Sequence, residues 1–116
     1  MRTKKNWDHL LTAEAALGLK ELGRLIQTAR KRRKMSVVEL ASRAGADRRT
    51  ISHLENGSPG VSVGVLIQVL SVLNLARGFN EALKPENDID ALAIELRKVR
   101  KRGLHVKRIS DDEVNF

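Results

Sequence analysis

Arg48 and Arg49, followed by Ser52 and His53, are the residues of this chain whose types and spacing best suit a chemical task, and the task is recognition. A guanidinium carries a planar fork of donors that matches guanine O6 and N7 in a bidentate pair. Ser52 and His53 then fall on the exposed side of the same short helix, one turn beyond the arginines. Cations in the first turn of a helix oppose the positive end of its dipole. Two of them there suggest selection for an anionic ligand over helix stability. The plainer alternative is a solvated face. Ser36, Arg43, Thr50 and Asn56 stand nearby in sequence and are candidates for fixed contacts to a phosphate backbone.

Bond-making chemistry has little to work with. His9, His53 and His105 have no ligand spacing to one another, no Gly-rich phosphate loop follows a strand pattern, and no nucleophile motif occurs. Asp111, Asp112 and Glu113 are clustered carboxylates, yet a terminal tail is a poor platform for a metal. The absence of cysteine removes disulfides and thiolate metal sites and suits a reducing cytosol. No secretory signal is visible, nor an apolar run near the ~18 residues a membrane span needs. The expectation is a cytoplasmic, nucleoid-associated protein that is not an enzyme, with no cofactor and no membrane partner. A formal charge of +8 on 116 residues favours a polyanionic partner.

The elements that must position the arginines read as helices. A first helix is predicted from Gly18 or Leu19 to Lys34, with Leu19, Leu22, Leu25, Ile26 and Ala29 at helical spacing and the cations Arg30–Lys34 in its last turn. Ahead of it, Asp8 could cap a short helix over His9–Ala16. Ser36 and Glu39 have the form of a capping box for a second helix to about Ala44, which Gly45 ends. Asp47 is placed to cap a third helix, Arg48 to Glu55, with Ile51 and Leu54 on its buried side. Ser62 opens a fourth through Leu73, cored by Val65, Leu66, Val69, Leu70 and Leu73. A short fifth over Arg77–Leu83 would bury Phe79 and Leu83. After a break at Lys84–Asn87, a sixth fits Asp88 or Asp90 to Lys101, and Leu104–Ile109 could form a short strand. The second and third helices, joined at Gly45, have the grammar of a helix-turn-helix, in which one helix braces and the next enters the DNA major groove.

These residues together resemble the phage-repressor-like helix-turn-helix family. The resemblance rests on Arg30 at the end of the first helix, Ser36-x-x-Glu39-Leu40-Ala41, Ala44-Gly45-x-Asp47, Thr50-Ile51-Ser52 and Leu54-Glu55-Asn56-Gly57, and it covers roughly Leu19–Leu83. The continuation Pro59–Leu66, with Val69-Leu70 and Leu73, is similar more narrowly to the small antitoxin regulators paired with HipA-like kinase toxins. The family pattern implies an ion pair between Arg30 and Glu55 that ties the first helix to the third. Glu55 would otherwise read as a lone acid on a DNA-facing helix. The family also carries Gln where this chain has Val37, so a side-chain contact is lost there, while backbone amides at the start of the second helix remain available to a phosphate. The Ser58–Ser62 loop lacks the basic residues some relatives place against the backbone.

Two basic clusters remain. Lys31–Lys34 suits the negative end of the helix dipole and would also attract phosphate without specifying sequence. Arg97, Lys98, Arg100, Lys101 and Arg102, with Lys107 and Arg108, could be a solvated face, a second phosphate strip or a contact for an acidic partner. The same sixth helix carries Ile89, Leu92, Leu96 and Val99 at 3-4-3 spacing. That stripe either packs back on the core or pairs with its twin, and the dimer is the expectation taken forward. Trp7 and Phe116 are either partner anchors or frayed ends.

The expected fold is all-α: a five-helix phage-repressor-like helix-turn-helix bundle with an extra C-terminal helix and a possible short terminal strand. Residues 1–17 form an arm, 18–84 the DNA-binding domain, 85–103 a helix for dimerisation and 104–116 a tail. The expected function is a homodimeric repressor on a palindromic double-stranded operator, more narrowly the antitoxin of a HipA-like kinase toxin. A stand-alone phage or metabolic regulator, or a protein-inhibitor module with secondary DNA binding, are the alternatives.

Overall fold

Thr12 starts the fold by capping its first helix: its hydroxyl accepts from the Ala15 amide at 3.0 Å. In the computed structural model residues 10–105 are described, apart from the side chains of 104 and 105, and every regular element within them is helical. The helices are α1 (Ala13–Arg32), α2 (Val37–Ala44), α3 (Arg48–Glu55), α4 (Val63–Val72), α5 (Ala76–Glu81) and α6 (Ile89–His105), with a 3-10 turn over Pro85–Asn87 before α6. A first compact unit extends to Arg77 and a second begins at Gly78.

Several expectations move. Helix α1 begins five residues or more ahead of the predicted start, because the Thr12 cap and the strong helix formers Ala13, Ala15 and Ala16 outweigh Gly18, whose cost inside a helix is only about 1 kcal/mol. The separate short helix over His9–Ala16 is therefore absent from Ala13 onward, and Asp8 and His9 lie outside the described residues. Phe79 and Leu83, expected in the core, are exposed at 37% and 75%. Leu104 and His105 complete α6 instead of opening a strand, the helix running on through Gly103, and the rest of that segment lies outside the described residues, as do Trp7 and Phe116.

The core of the first unit is built where the predicted spacings put it. Ile26 of α1, Leu40, Ala41 and Ala44 of α2, Ile51 and Leu54 of α3, and Val69 and Leu70 of α4, with Met35 and Leu73, are all buried. Helix α2 packs against both α3 and α4, and α1 packs against α3. Leu25 faces outward, so the inward residue of that pair is Ile26.

Two features fix α1 on α3. Gly23 is buried, and a Cβ built there would lie 2.5 Å from the carbonyl oxygens of both Leu54 and Glu55. Only a residue without a side chain lets the two helices come this close. Two turns further along α1, the Arg30 guanidinium forks onto Glu55: Nε donates to Oε2 at 2.7 Å and Nη2 to Oε1 at 3.0 Å. Its remaining nitrogen, Nη1, donates to the Met35 carbonyl at 2.9 Å. Both side chains are buried, at 8% and 4% exposure, and the hydrogen bonding to Glu55 holds the Arg30 guanidinium above its ordinary pKa, charged at any working pH. No buried side-chain nitrogen or oxygen among the described residues is left without a partner.

Two stability measurements check this arrangement. Gly23→Ala should lower unfolding free energy by about 1–3 kcal/mol in a denaturant titration, because the methyl meets backbone that cannot swing aside. A fully stable variant would show that the approach relaxes freely. Glu55→Ala should lower it by about 3–5 kcal/mol, leaving a buried unpaired guanidinium, whereas replacing both Arg30 and Glu55 by apolar residues should cost much less.

Candidate nucleic-acid interface

Helix α3 is placed by its ends. At its start Asp47 is extended, and its carboxylate accepts from the Thr50 amide at 2.8 Å. That bond, with a weaker contribution from nearby Arg49, holds the Asp47 carboxyl below its ordinary pKa of 3.8. The turn before it is made by Gly45, in the left-handed region at φ 70°, whose N–H reaches back to the α2 carbonyls. This is the one step of the Ala44–Asp47 connection that a side chain would strain. At the other end Asn56 closes the helix, its N–H donating to the Ser52 carbonyl at 3.0 Å.

At 100° per residue, Ile51, Leu54 and Glu55 form the inner side of α3, and all three are buried. Arg49, Ser52, His53 and Asn56 share the opposite side, with Arg48 on its flank. Arg48, Arg49, His53 and Asn56 are exposed and Ser52 is half-buried, so three of the four residues expected to read bases lie on the outward side and Arg48 stands at its edge. Thr50 is half-buried on the far flank, its amide occupied by Asp47. The face is one of donors: two guanidiniums, a hydroxyl, an imidazole and a carboxamide. It can bind an acceptor-rich surface and offers no nucleophile activated by a base.

Helix α2 supplies the flank. Ser36 accepts from the Glu39 amide at 3.0 Å, so half of the expected capping box forms. The other half does not, because the Glu39 carboxylate pairs with Arg43 at 3.0 Å, one turn along the exposed face. Val37 is half-buried and packs against the core. Its amide and that of Val38 precede the first intrahelical bond and stay available to an oxyanion.

The basic run at the end of α1 divides. Arg30 is taken by Glu55. Arg33 is also structural: Nη1 donates to the Ala29 carbonyl at 2.7 Å and Nη2 to the Leu73 carbonyl at 2.9 Å, latching the ends of α1 and α4. Lys31, Arg32 and Lys34 are exposed. The Arg33 latch escapes sequence reasoning, since nothing in the spacing of Ala29, Arg33 and Leu73 announces it. The Glu39–Arg43 pair was readable from its i, i+4 spacing. In the second unit Ile89, Leu92, Leu96 and Val99 lie along α6 and are all exposed.

Among the described residues no cluster of His, Cys, Asp or Glu could hold a metal ion, and no helix is long and apolar enough to cross a membrane. The helix-turn-helix domain family matches residues 21–78, a span that contains α2, the Gly45 turn, α3 and the cores of α1 and α4. No curated protein matches the chain.

The cap makes a pH-dependent prediction. A carboxyl depressed in the folded state contributes stability that is complete above its unfolded pKa and is lost as pH falls through the folded one. Asp47→Ala should therefore melt lower than the parent at neutral pH, and the gap should close as pH is lowered from about 5 towards 2. A gap in melting temperature that stays constant across that range would show that the charge of Asp47 is not what caps α3.

Proposed function

The chain belongs to the helix-turn-helix domain family, and from that premise we propose that it is a sequence-specific repressor that binds a palindromic operator as a homodimer. The observation that carries the proposal is the outward face of α3. Arg49, Ser52, His53 and Asn56 share it with Arg48 on its flank, while Gly23, Arg30 and Ile51 secure the helix from behind. A rigidly backed helix with exposed donors in its first turns is what base reading in the major groove requires.

The roles divide along the geometry. Arg48 and Arg49 take base edges, guanine by preference, and Ser52 and His53 take neighbouring edges. Ser36, the Val37 amide, Arg43, Thr50 and Asn56 hold phosphates on either side, which sets register without reading sequence. Lys31, Arg32 and Lys34 add affinity for any duplex and steepen its salt dependence. Two copies joined through Ile89, Leu92, Leu96 and Val99 would place their α3 helices in successive major grooves about 34 Å apart and block transcription sterically. The narrower reading, an antitoxin that also binds a HipA-like kinase, is supported by the sequence pattern of Pro59–Leu73 alone and would use a surface away from α3.

Fluorescence anisotropy on DNA from upstream of the chain's own gene, beside a scrambled duplex, tests the reading. The native duplex should bind about 10³-fold tighter or more. Arg48→Ala with Arg49→Ala should reduce that ratio by about 10²-fold or more while weakening the scrambled duplex far less. Equal binding of both duplexes by the parent protein, fading together with salt, would reduce the interface to a general attraction for polyanions.

A further inference from the structure

Helix α6 orders its apolar residues and its charges by different rules. Ile89, Leu92, Leu96 and Val99 stand at 77%, 42%, 63% and 61% exposure, and their spacing is the a and d seam of a two-stranded coiled coil, which Gly103 continues. The charges instead separate by end. Asp90 lies in the first turn with Asp88 just ahead of it, Glu95 sits near the middle, and Arg97, Lys98, Arg100, Lys101 and Arg102 fill the last turns. None of these groups has an ion-pair partner among the described residues.

We propose that α6 pairs with α6 of a second copy in the antiparallel direction, a refinement that rests on the dimer reading above. In this arrangement Ile89 packs against Val99 of the second copy and Leu92 against Leu96, so the seam is filled with two-fold symmetry. The acidic start of each helix lies beside the basic end of the other, with Asp88, the residue just ahead of the first turn, next to Arg102 of the second copy. The two helix dipoles also run in opposition. Ala93 meets its own twin at the two-fold axis, where its small side chain lets the backbones approach. A single like-charge contact remains, Glu95 beside its twin.

The parallel alternative is poorer. It gains a contact between Glu95 and Arg100 of the second copy, five residues apart as a parallel seam requires, but it stacks both basic ends on one another. Each exposed pair is weak by itself, so the direction follows from their number and sign. A seam of two heptads is short, and the solution dimer is weak for that reason. Two half-sites on one duplex would raise the effective concentration of the second copy and complete it.

The chain has no cysteine, so single introduced thiols report the direction without background. Ala93→Cys and Gly103→Cys are compared in the full chain under mild oxidation. An antiparallel pair cross-links only the first, since residue 93 meets itself at the axis. A parallel pair cross-links only the second, which occupies a seam position. Covalent dimer from Ala93→Cys alone, lost when Leu92→Asp and Leu96→Asp are added, is the expected result. Cross-linking of Gly103→Cys, alone or together with Ala93→Cys, overturns the antiparallel direction and leaves the dimer standing. No cross-link from either, with a monomer mass in sedimentation, overturns both the direction and the α6 dimer, while operator binding is judged separately by anisotropy. Glu95→Gln gives a second sign. It should tighten the antiparallel dimer about two- to fivefold by removing the repulsion at the axis, and would loosen a parallel one.

Discussion

The Arg30–Glu55 fork is the interaction on which the rest of the molecule depends, because it orients a helix that only Ile51 and Leu54 otherwise anchor in the core. Helix α3 is two turns long, too short to persist alone, and its outer side is polar. Ile51 and Leu54 anchor its inner side, yet two apolar contacts fix a short rod only loosely about its own axis. The bidentate bond from Arg30 fixes that rotation, and Gly23 fixes the distance at which α1 crosses the end of α3. Such a pair adds little net stability over an apolar substitute. What it supplies is an orientation, and orientation is what a helix that reads bases requires.

The second organising theme is that positive charge is not interchangeable here. Arg30 and Arg33 look in the sequence like members of one basic run, but they spend their donors on Glu55 and on the carbonyls of Met35, Ala29 and Leu73. Arg43 is shared with Glu39. Among the described residues of the first unit, the exposed cations with neither an ion pair nor a side-chain hydrogen bond are Lys31, Arg32 and Lys34 at the surface end of α1, Arg48 and Arg49 at the start of α3, and Lys20 and Arg77. A formal charge of +8 therefore overstates what is free to meet a polyanion and understates how deliberately the rest is placed. Guanidinium suits both tasks, since its fork matches a carboxylate inside the fold as well as a base edge outside it.

Much of this was legible in the sequence. Local chemistry announced the caps at Ser36, Asp47 and Ser62 and the turn at Gly45, because each depends on a residue and its neighbours within three positions. The buried sides of α2, α3 and α4 followed from spacing, and the Arg30–Glu55 pair followed from a family resemblance. What escaped was non-local. Gly23 shows its purpose only when Leu54 and Glu55 are brought against it, although a lone glycine inside a helical pattern was a signal to ask. Arg33 reaches forty residues along the chain to Leu73. The start of α1 lies ahead of Gly18 because alanines and a threonine cap outweigh the glycine. Phe79 and Leu83 are apolar yet exposed, since apolarity alone does not say whether anything lies opposite.

Asp47 has a consequence for how such a protein would find its site. Its carboxylate stands at the leading end of α3, beside the two arginines, and the Thr50 amide keeps it ionised well into acid. On the proposed docking it faces a groove edged with phosphates and repels them equally at every position along a duplex. That repulsion is a uniform tax on attachment, so it shortens each stop on random sequence without altering the ranking of sites. The arginines hold only where guanines answer them. On that docking, an acid cap on the reading helix would trade grip for mobility along the duplex.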